Sequence, residues 1–211
     1  MTVRPDFRFS FQITSILFTL LLLFLLLLFP ASQAHAQFGA IGVKGGANWT
    51  SLNGGPPTDG GNGFIGGIYA AGQSASIVAQ FEVLLSKRSF FESAGSARVN
   101  ESFIQIPALF GVRGGGGVVN AMLYAGPSLS LKTSCNVQDG GLELSCRSTG
   151  LVDRGSLWSM ILGMAVDYQM GQVVLVLDGR YDNGLTNAFE NRDGKWRSWV
   201  LMFGIGYLMP T

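Results

Sequence analysis

Apolar and polar residues alternate with a period of two along most of the chain after residue 37, and no stretch there keeps a helical apolar period over three turns. In the segment IVAQFEVLL (77–85) the odd-numbered residues are apolar, whereas the even-numbered side carries Gln80 and Glu82. The last such segment, SWVLMFGIGYLM (198–209), has large apolar residues at its odd positions and small residues at many even positions. This alternation is typical of β-strands with two different faces.

The pattern predicts eight strands, at roughly 39–51, 62–72, 75–87, 99–112, 119–133, 156–169, 172–185 and 195–209. Short glycine-containing turns alternate with the longer connections 52–61, 88–98, 134–155 and 186–194. We therefore predict an all-β fold, an eight-stranded antiparallel up-and-down transmembrane β-barrel with tight periplasmic turns and larger external loops. A soluble barrel of lipocalin type has the same hairpin spacing and is the alternative.

The positions of the aromatic residues favour the membrane barrel. When the odd residues of the strands at 39–51, 172–185 and 195–209 and the even residues of 156–169 face outward, six aromatic side chains fall on the outer face. They sort to two levels, with Trp49, Trp158, Tyr181 and Trp199 near the long loops and Tyr168 and Tyr207 near the short turns. Aromatic girdles at two levels are typical of a barrel that crosses a bilayer.

The same rule turns charged residues toward the barrel interior. The predicted interior polar network consists of three cations and three anions: Lys44, Lys132, Arg180, Glu82, Asp178 and Asp182. Charges removed from water are tolerated when they are paired and hydrogen-bonded, and a balanced set meets that condition. We expect Glu82 to pair with Arg180 or Lys44.

Composition and the N-terminal segment agree with an exported membrane protein. Only 13% of the residues are charged, which leaves few side chains to cover a water-facing surface. Arg4 and Arg8 precede an apolar run at 13–29, and an Ala-His-Ala sequence follows at 34–36. This predicts a signal peptide, residues 1–36, cleaved after Ala36, with 37–211 forming the barrel domain; a retained membrane anchor is the alternative.

Removal of 1–36 narrows the possible functions. It leaves 12 basic and 12 acidic residues without a basic stripe, which argues against a nucleic-acid partner. It also removes His35, the only histidine, and acid–base or serine-nucleophile catalysis normally recruits imidazole. An acid pair of Asp178 and Asp182 is the remaining catalytic alternative, and a structural network explains these residues more simply. We predict no enzymatic activity, no catalytic residue and no cofactor.

The only two cysteines, Cys135 and Cys146, lie in a polar glycine-containing segment. In an exported chain this pair predicts one disulfide that restrains the loop 134–155. Two thiolates without histidines do not complete a zinc site, so no metal is predicted.

Six segments in order resemble the PorT-like family of small outer-membrane β-barrels, common in Bacteroidetes-type bacteria. They are GVKGGANWTSL (42–52), FEVLLSKRSF (81–90), FIQIPALFGVR (103–113), LYAGPSLSL (123–131), LDGRYDNGLTN (177–187) and the closing FGIGYLM. The resemblance implies an eight-stranded barrel with a plugged interior, inserted by the barrel-assembly machinery. The founding member is implicated in type IX secretion, whereas most relatives have no assigned role.

The sequence thus predicts a non-enzymatic, integral outer-membrane protein with a structural or interaction role in the envelope. Its expected partners are outer-membrane lipids, the assembly machinery during insertion, and a protein that meets the external loops, especially 134–155. A narrow small-solute pore and a secretion-system assembly factor are the main alternatives, and a soluble ligand-binding barrel is a further one.

Overall fold

A computed structural model describes residues 38–54, 58–92, 98–139, 142–149, 154–188 and 193–209. The predicted signal peptide at 1–36 lies outside these residues and stays a prediction. Parts of the predicted loops, including 140–141 and 150–153 of the loop 134–155, also lie outside them.

The described chain is almost entirely β-strand. In order, the elements are β1 (Phe38–Asn53), β2 (Thr58–Ser74), β3 (Ile77–Glu92), β4 (Arg98–Gly116), β5 (Val119–Asp139), β6 (Leu142–Ser145), a 3₁₀ turn at Cys146–Thr149, β7 (Ser156–Met170), β8 (Val173–Gly184) and β9 (Lys195–Met209). No helix among the described residues is both long and apolar enough to cross a bilayer.

Eight of the strands form one closed antiparallel barrel. Strands β1 to β5 pair with one another in chain order, β5 then pairs with β7, β7 with β8 and β8 with β9, and β9 pairs back onto β1. The closing seam is continuous from Gly39 opposite Met209 to Asn53 opposite Lys195. Because every barrel strand has a neighbour on both sides, backbone groups inside a bilayer are satisfied without water. The predicted eight-stranded up-and-down barrel is confirmed.

Glycines on the inner face of β1 let this seam close. A Cβ added to Gly42 would overlap the carbonyl oxygen of Ile205, and one added to Gly46 would overlap that of Leu201. Any larger residue at these positions would push β1 away from β9, so glycine is required for close backbone approach.

The two faces of the barrel have opposite character. Trp199 is 65% exposed and Phe203 57% exposed on the outside, whereas Asp178 and Glu82 are 1% and 2% exposed on the inside. A soluble barrel places its apolar side chains inside and its charges outside. The soluble alternative is therefore excluded by the direction of the faces.

Layers of side chains fill the interior. An apolar layer that includes Phe90, Phe103, Leu157 and Trp196 lies at the end of the long loops, hereafter the long-loop end. Two further apolar groups, one around Ile65 and Met202 and one around Leu109 and Ile161, lie between polar layers nearer the opposite, short-turn end. An eight-stranded barrel has an interior just wide enough for such filling.

Strands β3 and β5 run farther than the alternating pattern predicted. The pattern ended these strands at 87 and 133, whereas they continue to Glu92 and Asp139, and β6 adds a further strand within the predicted loop 134–155. Beyond the rim a strand needs no apolar outer face, since it no longer contacts lipid. Backbone pairing continues there without the apolar alternation, so the sequence pattern could not find it.

Candidate functional site

Four charged residues from three walls of the barrel form what we call the central cluster: Lys44 of β1, Glu82 of β3, and Asp178 and Arg180 of β8. Arg180 donates two hydrogen bonds to the carboxylate of Glu82, from Nη1 to Oε2 at 2.8 Å and from Nη2 to Oε1 at 3.0 Å. The same Nη2 lies 2.5 Å from Oδ2 of Asp178. Lys44 Nζ donates to Asp178 Oδ2 at 2.8 Å and also contacts Glu82. Two cations and two anions are therefore completely interlinked.

Neutral polar groups complete the central cluster. Gln80 donates to Glu82 Oε1 at 2.5 Å, and the hydroxyl of Tyr124 donates to Asp178. The guanidinium of Arg180 also lies over the ring of Tyr124, 5.5 Å from its centre. All six side chains are buried, so the cluster is a neutral, hydrogen-bonded plug across the barrel.

A second polar layer lies nearer the long-loop end and holds the other two predicted network residues. Asp182 accepts hydrogen bonds from Arg88 at 3.1 Å and from Gln105 at 2.7 Å. Lys132 contacts Glu101 at 2.5 Å. The six residues proposed as one network are thus distributed over two layers, with Asp182 and Lys132 separate from the central cluster.

Two members of this second layer, Arg88 and Glu101, were not in the sequence prediction. Arg88 lies in the predicted connection 88–98, because the apolar alternation of β3 ends at Leu85 and the predicted strand at 87. Glu101 lies within the predicted strand at 99–112, on the same parity as the inward Gln105, so the alternation contained the signal that would have found it.

A third ionic group lies at the short-turn end. Arg113 binds Asp167 through two nitrogens, at 2.9 Å and 2.5 Å, and also donates to Gln73. Between this pair and Gln80 lies an interior cavity of about 50 Å³. Its size suits a few water molecules and no larger solute.

The six aromatic residues of the proposed girdles all lie on the outer face. Trp49, Trp158, Tyr168, Trp199 and Tyr207 are exposed. Tyr181 is half-buried because its ring packs against Trp199 with centres 4.9 Å apart. The hydroxyl of Tyr207 donates to Gln172 in the β7–β8 turn. The two levels thus lie near the two rims of the barrel.

Cys135 and Cys146 form a disulfide, as the sequence predicted. Cys146 is buried in the apolar layer at the long-loop end, so the bond fastens the chain after β6 to the barrel mouth. The pairing of β5 with β7 ends at Leu131, whereas β4 and β6 accompany β5 beyond that point. The region therefore forms a three-stranded projection, the β4–β5–β6 projection, beyond the rim.

The two candidate acid residues belong to separate ion-pair groups. Asp178 and Asp182, the candidate acid pair, bind different cations in different layers. Among the residues that the structure describes, no three His, Cys, Asp or Glu side chains are grouped to hold a metal ion.

No family model matches the chain, and no curated protein matches its sequence. Solved structures do match its fold. The outer-membrane protein OprG from Pseudomonas aeruginosa is 13% identical with a TM-score of 0.54, over 82% of this chain and 97% of that one. Neisserial surface protein A, NspA, is 18% identical with a TM-score of 0.50, over 80% and 96% of the two chains. At these identities the likeness concerns the fold alone.

The closed barrel, its apolar exterior and its sealed charges define an integral outer-membrane β-barrel protein of the small, eight-stranded kind. The similarity to known proteins extends to this fold class.

Proposed function

We propose that this barrel is a non-enzymatic protein of the cell envelope that uses its external β4–β5–β6 projection to contact a protein partner. We further propose that it is a member of the PorT-like group, is exported by the signal peptide 1–36 and is inserted by the barrel-assembly machinery. The long loops would then face outward and the short turns would face the periplasm.

The observation that supports this proposal is the contrast between a barrel interior filled by side chains and an exterior projection restrained by a disulfide. Three polar layers and the apolar layers between them occupy the barrel, and the charged groups of the central cluster bind one another. Such an interior supports neither catalysis nor bulk diffusion, so we favour an interaction role over the narrow-pore alternative. The secretion-factor alternative has no separate support among the described residues.

The projection has the features of a recognition element. Residues 132–139 of β5 extend beyond the β5–β7 pairing by about 27 Å measured along the strand. Strand β6 is paired with β5 alone among the described strands, so its outer edge is open to an added strand. Leu144 of β6 is also exposed. The disulfide restrains this segment before any partner arrives, which lowers the ordering cost of binding.

The test is a variant in which residues 140–145 are replaced by a glycine–serine linker, introduced into a strain that lacks the native gene. We expect heat-modifiable gel migration to remain, because the barrel strands are untouched. We expect the variant not to complement the deletion, measured as the detergent sensitivity of the strain. The matched control inserts the same linker after residue 191, in another long connection. Full complementation by the 140–145 variant would contradict the proposal.

A further inference from the structure

Among the side chains that the structure describes, the outward charges of the strands lie at one end of the barrel. The outward-facing charged residues of the described strands are Lys87, Arg98, Lys195 and Arg197, and all four lie near the long-loop end. No acidic side chain that the structure describes faces outward from a strand. The charged pair at the opposite end, Arg113 with Asp167, is turned inward. The described part of the exterior therefore has a cationic rim on the long-loop side.

Two of these cations, Lys195 and Arg197, lie on the long-loop side of a row of three aromatic side chains. Trp199 lies opposite Trp49 of β1 and opposite Tyr181 of β8 in the strand register. Arg197 and Lys195 follow on the same face of β9, at steps of about 7 Å toward the long loops. Arg197 is thus one pleat, and Lys195 two pleats, farther from the bilayer centre than the ring of Trp199.

A groove opens between these residues on the outer wall. It measures about 460 Å³, and its lining includes Trp49, Ser51, Asn62, Tyr181, Arg197 and Trp199. We call it the basic–aromatic groove. Ser51 lies opposite Arg197 and Asn62 opposite Trp49, so neutral polar groups surround the cation. The groove is aromatic toward the bilayer centre and polar toward the loops.

The guanidinium of Arg197 is available for a ligand. Arg197 is exposed and has no ion pair with any residue that the structure describes. Unlike Arg113 and Arg180, which each grip a carboxylate with two nitrogens, it offers its planar set of donors to the outside. Guanidinium groups bind phosphate in the same two-point manner.

We propose that the basic–aromatic groove binds the phosphorylated headgroup of an outer-leaflet lipid, with the acyl chains lying along Trp199 and the apolar wall below. Arg197 and Lys195 bind the phosphate, while Trp49 and Tyr181 set the depth of the headgroup region. A second copy of this chain is disfavoured as the occupant, because a symmetric contact through this face would bring the same cations together. The inference depends on the proposed orientation, with the long loops external.

The experiment uses the full chain, produced with its own N-terminal segment and reconstituted into phosphatidylcholine vesicles. Tryptophan quenching by brominated phosphatidylglycerol is compared with quenching by brominated phosphatidylcholine, which gives a relative binding constant for the anionic lipid. A basic residue near an anionic surface contributes about fivefold. We expect the native protein to prefer the anionic lipid by at least that factor, and the Lys195→Gln/Arg197→Gln variant to show nearly equal binding.

Lys87→Gln is the matched control, since Lys87 is an outward cation of the same rim that lies outside the groove. It should keep the preference. Equal quenching by both lipids in the native protein, or a preference that survives in the double variant, would overturn the inference. So would loss of an oligomer, rather than of lipid preference, in the double variant. Heat-modifiable migration and complementation by the 140–145 variant separately report the fold and the proposed partner role.

Discussion

Neutralising Glu82 is the most direct test of the central cluster. Glu82 accepts hydrogen bonds from Nη1 and Nη2 of Arg180 and from Gln80, and it also contacts Lys44. The change Glu82→Gln preserves the shape of the side chain and removes its charge. The cluster then holds two cations against one anion, Asp178, in a site with almost no access to water.

The expected cost follows from that unbalanced charge. Breaking a buried ion pair by removing one partner destabilises a protein by about 3–5 kcal/mol. Asp178 already binds both cations, which moderates the loss and places our expectation near the lower end, at about 3 kcal/mol. A second substitution, Lys44→Met, restores the balance of one cation and one anion. The double variant should therefore be more stable than Glu82→Gln by about 1–2 kcal/mol.

The assay is urea unfolding of the vesicle-reconstituted barrel, followed by tryptophan emission and by heat-modifiable migration. Lys87→Gln serves as a control, because Lys87 faces outward and should change the free energy of unfolding by less than about 0.5 kcal/mol. If Glu82→Gln lowers the free energy of unfolding by less than about 1 kcal/mol, the reasoning is refuted, because a buried, unbalanced charge destabilises a protein by more than that. If the effects of Glu82→Gln and Lys44→Met on the free energy of unfolding simply add in the double variant, the proposed coupling of Lys44 to Glu82 is also refuted.

Three further perturbations test other parts of the structure. Cys135→Ser should raise the rate of proteolysis between 140 and 155 while heat-modifiable migration persists, because the disulfide restrains the projection and not the barrel strands. An unchanged rate of proteolysis would count against this. Gly46→Ala should impair folding into vesicles, because its Cβ would overlap the β9 backbone, whereas Gly45→Ala makes only ordinary contacts and should fold normally. Equal folding yields of the two variants would show that β1 and β9 can move apart to accept the added Cβ. Arg113→Gln should lower the free energy of unfolding by about 1–3 kcal/mol, because Asp167 loses the two hydrogen bonds from the guanidinium. Urea titration at neutral pH measures this loss, and no change would mean that water replaces the contact.

The chain's alternating pattern was enough to predict the barrel and the direction of its faces. Each strand that crosses lipid must carry apolar residues at every second position, so the lipid-facing set around Trp199 and the inward set around Asp178 are written directly in the sequence. The scarcity of charge and the spacing of the turns pointed the same way. The expected contact between Glu82 and Arg180 or Lys44 needed only the assumption that inward charges must balance.

Only the tertiary structure decided which charges meet and how far the strands run. Partners such as Arg88 with Asp182 are distant in the sequence, and their contact depends on the stagger of strands around the barrel, which alternation does not encode. The β4–β5–β6 projection escaped prediction because a strand outside the bilayer is free of the pattern that lipid imposes. The basic–aromatic groove arises from four strands that meet only when β9 closes onto β1, so its residues become neighbours through barrel closure alone.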